Sequence, residues 1–365
     1  MRYLFILASL IGCLSFSANL PAQSSRLELI HADVNRGQLS QDLEELRVLE
    51  GNVHVRQDTT EIFCDLATYY SRQQKLVLEG NVRIHRGPEV LYAQTVTYYE
   101  NRKLAISQGN VRVLRPGQEM RSQYLEYYYD TDRAFAKTNL LLIDEDSRAR
   151  VSAAEGEYIP QENRSRVEKN AHFWQVDSSG SDTLHIYARL MEYFFAPERK
   201  AVARDSVRIL RGDLTARCDS AVYWLDKEQV FLEIDPRAWQ QNNELFGRQM
   251  ELDLAGMELR KITVRGQAHA VSVEDSAVQK VNRLTGQEII GFIVNRKIDQ
   301  LWAINNARSR YYLKDQESEQ GFNVASADTI RLFFKEGELD HINVRGGAQG
   351  IFYPVDYKGS IETEY

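Results

Sequence analysis

Lys75-Leu76-Val77-Leu78-Glu79-Gly80-Asn81-Val82-Arg83-Ile84 decides the fold class. Its even positions, Leu76, Leu78, Gly80, Val82 and Ile84, are apolar or small, whereas Glu79, Asn81 and Arg83 are polar. Alternation with period two marks a strand with one buried face. The Gly80-Asn81 pair inside it predicts a local bend or bulge, because the missing Cβ of glycine relieves crowding. A polar turn, Arg86-Gly87-Pro88-Glu89, separates this strand from a second one running from Val90 to Tyr99.

The unit recurs along the chain. Gly51-Asn52-Val53-His54-Val55, Gly80-Asn81-Val82-Arg83-Ile84 and Gly109-Asn110-Val111-Arg112-Val113 are spaced by 29 residues (51 to 80 and 80 to 109). Degraded copies follow as Thr138-Asn139-Leu140-Leu141-Leu142, Asn170-Ala171-His172-Phe173, Asp205-Ser206-Val207-Arg208-Ile209 and Gly266-Gln267-Ala268-His269-Ala270. Asn305-Asn306-Ala307 and Gly346-Gly347-Ala348 are fainter echoes. A second column runs in phase with the first, a small residue followed five positions later by an aromatic or aliphatic one: Cys64 and Tyr69, Ala93 and Tyr98, Ser122 and Tyr127, Ala153 and Tyr158, Ala188 and Tyr193, Cys218 and Tyr223. Self-similarity at fixed period is the mark of a repeat architecture, here roughly nine or ten units from about residue 30 to about 355. The expected fold is all-β, an elongated solenoid-like stack of two-stranded repeats closing over an inner face. Helix signals are weak beyond the first residues.

Composition agrees with a folded chain. The 365 residues are 43% hydrophobic, enough to fill a sizeable core. With 45 Lys+Arg against 52 Asp+Glu the net charge is −7, which lacks the basic footprint that nucleic-acid binding draws on. Met1-Arg2, an apolar stretch from Tyr3 to Phe16 and the small residues before Ala22 read as a secretory signal over residues 1–22. Export to the periplasm is the expectation. Leu10-Ile11-Gly12-Cys13 also fits a lipoprotein cleavage box, which would anchor the chain at Cys13.

Cys64 and Cys218 remain in the mature chain. They occupy one column five units apart, hence at least ~24 Å at one strand spacing of ~4.8 Å per unit. Bridged Cα atoms lie within ~7 Å, so two buried thiols are expected rather than a disulfide.

Catalytic signatures are missing from the sequence: no Gly-x-Ser-x-Gly, no phosphate-binding Gly-rich loop and no His-Glu-x-x-His occurs. His54 and His269 share a column on the outward side of their strands, without the neighbouring Cys, Asp or His that metal ligation requires. Asp144-Glu145-Asp146 reads as a solvated hairpin tip. Arg56, Arg83, Arg112, Arg208, Arg265 and Arg345 follow the repeat valines or lie between them and are expected on an outer surface. No catalytic residue, cofactor or metal is therefore assigned. The candidate site is the inner face itself: Val53, Val55, Leu76, Leu78, Val82, Ile84, Val111, Val113, Leu140, Leu142, Phe173, Val207 and Ile209. The same alternation suits a dry core and a gap between sheets that admits hydrocarbon.

The Gly-Asn-Val-x-Val units at 29-residue spacing, with the Ala/Cys-x-x-x-x-Tyr column, resemble the organic-solvent-tolerance-like (OstA/LptA-like) family of periplasmic lipopolysaccharide-transport proteins. Residues 45–130 carry the resemblance best. It implies a β-jellyroll open along one side, whose interior takes the acyl chains of lipopolysaccharide. It also implies head-to-tail strand addition, to itself or to same-fold partners, in a bridge from inner to outer membrane. The later units drift in spacing, so residues 23–236 are expected as one set of repeats and 237–365 as a diverged continuation or second jellyroll, with Pro236 at the boundary. Other readings stay open: a repeat-built adhesin or scaffold, a β-helix enzyme acting on polysaccharide, which would need clustered charges on successive rungs, and an outer-membrane barrel.

Overall fold

The computed structural model describes residues 28–39, 44–177, 180, 182–255, 258–275, 280–295, 297–315, 318–335 and 338–359. The signal segment, Cys13 and Pro21-Ala22 lie outside the described residues. Among the described residues the chain is all-β and antiparallel, with no α-helix. It divides into two compact units, Met1–Ala203 and Arg204–Tyr365.

In the first unit β1 (Glu28–His31) and β2 (Val34–Leu39) both pair with β3 (Glu45–Gln57). From there each strand pairs with the next: β4 (Thr60–Tyr70), β5 (Lys75–Arg86), β6 (Glu89–Tyr99), β7 (Leu104–Arg115), β8 (Gln118–Tyr128), β9 (Arg133–Asp144), β10 (Ala149–Ile159), β11 (Arg164–Val176) and β12 (Thr183–Phe194). This is a meander, the topology that short polar turns between consecutive strands dictate.

Every odd strand from β3 to β11 bends at the repeat's Gly-Asn position. Gly80 has φ +74° and Asn81 φ +48°, and the pairs Gly51-Asn52, Gly109-Asn110, Thr138-Asn139 and Lys169-Asn170 are likewise left-handed at both residues. The bend carries one extra residue against both neighbours: Glu79 and Arg83 of β5 face Leu66 and Phe63 of β4, four positions against three. On β6, Glu79 and Val82 face Thr95 and Ala93, three against two. Each bend is thus a β-bulge, which sharpens the local twist and turns the strand. Glycine is required at position 80, because a Cβ there would lie 2.8 Å from Asp65 Cβ. Asp65 covers the corner from outside, and its Oδ2 accepts a hydrogen bond from Asn81 Nδ2 at 2.8 Å.

The corners split each of β3 to β12 between two walls. One wall is formed by the residues after each bulge and their partners, the other by the residues before it. Since only the odd strands carry the extra residue, the returning strands change face at the corner: in β4 both Cys64 and Ala67 are buried, three positions apart. That odd step explains the second sequence column. A spacing of five would put Ser122 and Tyr127 on opposite sides of a regular strand, but the change of face turns both inward, and they are 3% and 2% exposed.

The second unit holds the rest of β13 (Lys200–Arg211), then β14 (Leu214–Trp224), β15 (Gln229–Glu233), β16 (Arg237–Gln240), β17 (Asn243–Phe246), β18 (Gln249–Ala255), β19 (Glu258–Asp275), β20 (Lys280–Val294), β21 (Lys297–Asp315), β22 (Ser318–Lys335), β23 (Glu338–Arg345) and β24 (Gln349–Pro354). The corners continue at Asp205-Ser206, Ile234-Asp235, Gly266-Gln267, Asn305-Asn306 and Gly346-Gly347, each with positive φ at both residues. Ile234-Asp235, followed by Pro236, breaks one bent strand into β15 and β16, which pair with the two halves of β14.

Cys64 and Cys218 are buried free thiols. Burial, reinforced by neighbouring carboxylates, pushes both up to about 11.

Candidate functional site: the inner face

The inward positions of both walls form one apolar lining in the first unit. Of the thirteen positions expected on the inner face, ten are buried, and Leu76, Ile84 and Ile209 are half-buried. Val53, Val82 and Val111 are each 1% exposed and Leu142 is fully buried. Eleven of the thirteen belong to the first unit. Val207 and Ile209 lie in the second, where they hold the same place after the Asp205-Ser206 corner. Burying side chains of this size contributes about 1.5–3 kcal/mol each. The column is therefore also what holds the walls together.

The lining is wider than the odd strands alone indicate. Leu91, Ala93 and Val96 of β6, Met120, Leu125 and Tyr127 of β8, and Val151, Ala153 and Tyr158 of β10 complete it. Near one corner the walls meet closely enough that a Cβ on Gly156 would collide with Leu140 Cδ2. Within the lining, Ser122 Oγ donates to Tyr124 O at 3.1 Å.

Outside, the surface is polar. Arg56, Arg83, Arg112, Arg208, Arg265 and Arg345 are all exposed. Arg56 pairs with Glu28 at 2.8 Å, and Arg265 with Glu251 and Glu288 at 2.5 and 2.9 Å. Arg83 lies over the Phe63 ring, 4.6 Å from its centroid. His54 and His269 face outward but are half-covered by aromatic rings, His54 stacking on Phe63 at 4.2 Å and His269 on Phe246 at 4.7 Å. Asp144 departs from the expected solvated tip. It continues the inward alternation of Leu140 and Leu142, is 7% exposed, and its Oδ1 accepts from Ser147 N and Ser147 Oγ at 2.8 and 2.6 Å. A carboxylate so placed organises the turn rather than meeting solvent.

Among the described residues no group of three or more His, Cys, Asp or Glu is placed to hold a metal ion. No helix among them is long and apolar enough to cross a membrane.

Residues 24–181 match a protein family described as OstA-like protein. Among solved structures, LptH from Pseudomonas aeruginosa, the LptA homologous periplasmic component of the lipopolysaccharide transport device, aligns at 15% identity. The alignment covers 39% of this chain and 95% of that one, with a TM-score of 0.31. No curated protein matches the chain in sequence.

Proposed function

We propose that this chain, whose residues 24–181 form an OstA-like domain, is a non-enzymatic periplasmic carrier that holds the acyl chains of lipopolysaccharide or a related glycolipid between its two walls. The observation that carries the reading is the predominantly apolar inner column of the first unit, drawn from both walls and bounded outside by charge. Burial of hydrocarbon is the driving term: at ~0.8 kcal/mol per CH₂, a chain of about twelve methylenes gains at most ~10 kcal/mol. Ordering and desolvation costs reduce this. A net charge of −7 gives no long-range attraction for an anionic lipid, so capture depends on contact with the lining.

The sheet edges supply the partner surfaces. β1 and β2 pair only with β3 among the described residues, and they expose Leu29, Ile30, Val34 and Leu39. Among the described residues β24 pairs only with β22, and it exposes Ile351 and Phe352. Unpaired edges with exposed apolar side chains favour strand addition by a second copy or a same-fold protein, in the manner of a bridge between inner and outer membrane.

A second reading, a repeat-built scaffold, is favoured by how completely the lining residues bury one another. Photocrosslinking separates the two. With a photoreactive residue at Val82, Val111 or Ile209, and at the outward Arg83 as control, adducts to lipopolysaccharide from the inward positions alone support carriage. A folded protein that gives no adduct overturns it.

A further inference from the structure

The charges of the outer surface are sorted by the corner. In the first unit an outward row runs just after it, each residue directly opposite the next, from His54 on β3 to Tyr187 on β12. The row holds Arg83, Arg112 and Arg121, all exposed, and no Asp or Glu. The row just before the corner, from Glu50 on β3 to Leu190 on β12, holds Glu50, Glu79, Glu155 and Glu168 against Lys137. The second unit repeats the first of these rows. From Arg217 on β14 to Gln349 on β24 it carries Arg217, Arg237 and Arg308, and again no Asp or Glu.

On the first unit's wall after the corner, a second outward row adds exposed Arg56 and Arg150 against half-buried Glu61 and Glu119. Partners take up part of this charge: Arg56 meets Glu28 at 2.8 Å, and Arg112 and Arg121 share Glu119. Two guanidinium groups on one carboxylate leave one charge over. Arg83 lies over the Phe63 ring, and neither it nor Arg150 has a carboxylate partner among the described residues. Tyr92, 36% exposed, stands in the first row between Arg83 and Arg112. This wall therefore turns net positive charge and an exposed ring to water, in a chain whose own net charge is −7.

We propose that the outer face of this wall docks on an anionic bilayer surface, its arginines on lipid phosphates and Tyr92 at the level of the head groups. The face lies outside the walls, so the proposal does not rest on lipid carriage between them. A chain of net charge −7 is repelled by such a surface at a distance, but within a Debye length, ~8 Å at physiological salt, the nearest wall dominates. Guanidinium is always charged and presents forked donors that match phosphate oxygens. Tyrosine suits the boundary, since its ring is apolar and its tip polar. Charge spread over two rows, from Arg56 on β3 to Arg150 on β10, fits a surface better than a single extended polymer.

The test is co-sedimentation of the mature chain with vesicles of phosphatidylcholine alone and of phosphatidylcholine and phosphatidylglycerol in equal parts, at low and high salt. Binding is expected to the mixed vesicles only, and to weaken as salt rises. Arg83→Gln and Arg150→Gln are each expected to weaken it about fivefold, the worth of one arginine at an anionic surface. Glu61→Gln, which removes an acid from the same wall, should strengthen it. Arg133→Gln, on the outer face of the other wall, should leave it unchanged. Folded protein that ignores the mixed vesicles, or binds both kinds alike, overturns the proposal. Binding that survives Arg83→Gln and Arg150→Gln, or falls as far with Arg133→Gln, overturns it too. Each of these outcomes leaves the carrier reading to its own crosslinking test.

Discussion

Gly80→Ala tests the corner directly, with Gly87→Ala as its internal standard. Both glycines have positive φ, +74° and +56°, so in each an added Cβ carries the left-handed penalty of about 1–2 kcal/mol. Part of this is offset by the smaller conformational freedom of alanine in the unfolded chain, about 0.4–1 kcal/mol. The sites differ in their surroundings. Nothing lies within 4 Å of a Cβ at Gly87, whereas at Gly80 it would stand 2.8 and 2.9 Å from Asp65 Cβ and Cγ. Asp65 must then move, and its hydrogen bond from Asn81, about 0.5–1.5 kcal/mol, is lost. Gly80→Ala is therefore expected to cost about 2 kcal/mol and Gly87→Ala no more than about 1. Urea unfolding of the mature chain, followed by far-ultraviolet circular dichroism, measures both. Asp65→Ala placed in the Gly80→Ala background should recover part of the loss, a coupling that a double-mutant cycle isolates. Equal costs at the two glycines, with no coupling to Asp65, would refute the account of the corner.

Three further outcomes are expected. Val82→Asp places a carboxylate at a site 1% exposed and should destabilise by several kcal/mol, while Arg83→Asp, one position on and facing water, should stay within about 0.5 kcal/mol by the same unfolding assay. Cys64 and Cys218, with thiols pushed up to about 11, should resist iodoacetamide at pH 8 in folded protein and react on denaturation, as mass spectrometry would count. Hydrogen bonds from Arg121 and Arg112 hold the Glu119 carboxyl below its ordinary value. Its stabilisation is present above the unfolded pKa and lost as pH falls through the folded one, so Glu119→Gln should flatten the acid side of the stability profile. A profile unchanged by that substitution would mean the Arg112–Glu119–Arg121 cluster contributes nothing.

The fold class was legible because its signal is local. Alternation over residues 75–84 and a recurring left-handed pair are written in side chains, and nine of the ten corners are legible, eight of them through a glycine or an asparagine. Asp205-Ser206 has neither but keeps the Val-x-Ile that follows it, whereas Ile234-Asp235 keeps nothing of the pattern. A β-branched residue at φ +64° contradicts every local preference, and only its distance of 29 residues from Asp205 marks it. The lining was half legible. Val53 or Val111 could be assigned from their own strands, but the inward placing of Leu125 or Tyr127 depends on the change of face at the corner. That change is a property of strand pairing, absent from any single strand. Asp144 was misjudged for a related reason: acidity suggested solvent, while its parity with Leu140 and Leu142 decided where it went.

The corner also governs how the array tolerates change. Intervals between successive corners range from 29 residues, Asp205 to Ile234, to 41, Asn305 to Gly346. In an uninterrupted strand a single inserted residue would turn every later side chain over. Here each bulge resets the count, so added length collects at the hairpin ends, where β19 and β21 reach 18 and 19 residues. Repeat length and inner surface are thereby uncoupled: walls can grow taller from one repeat to the next while the same column stays inside.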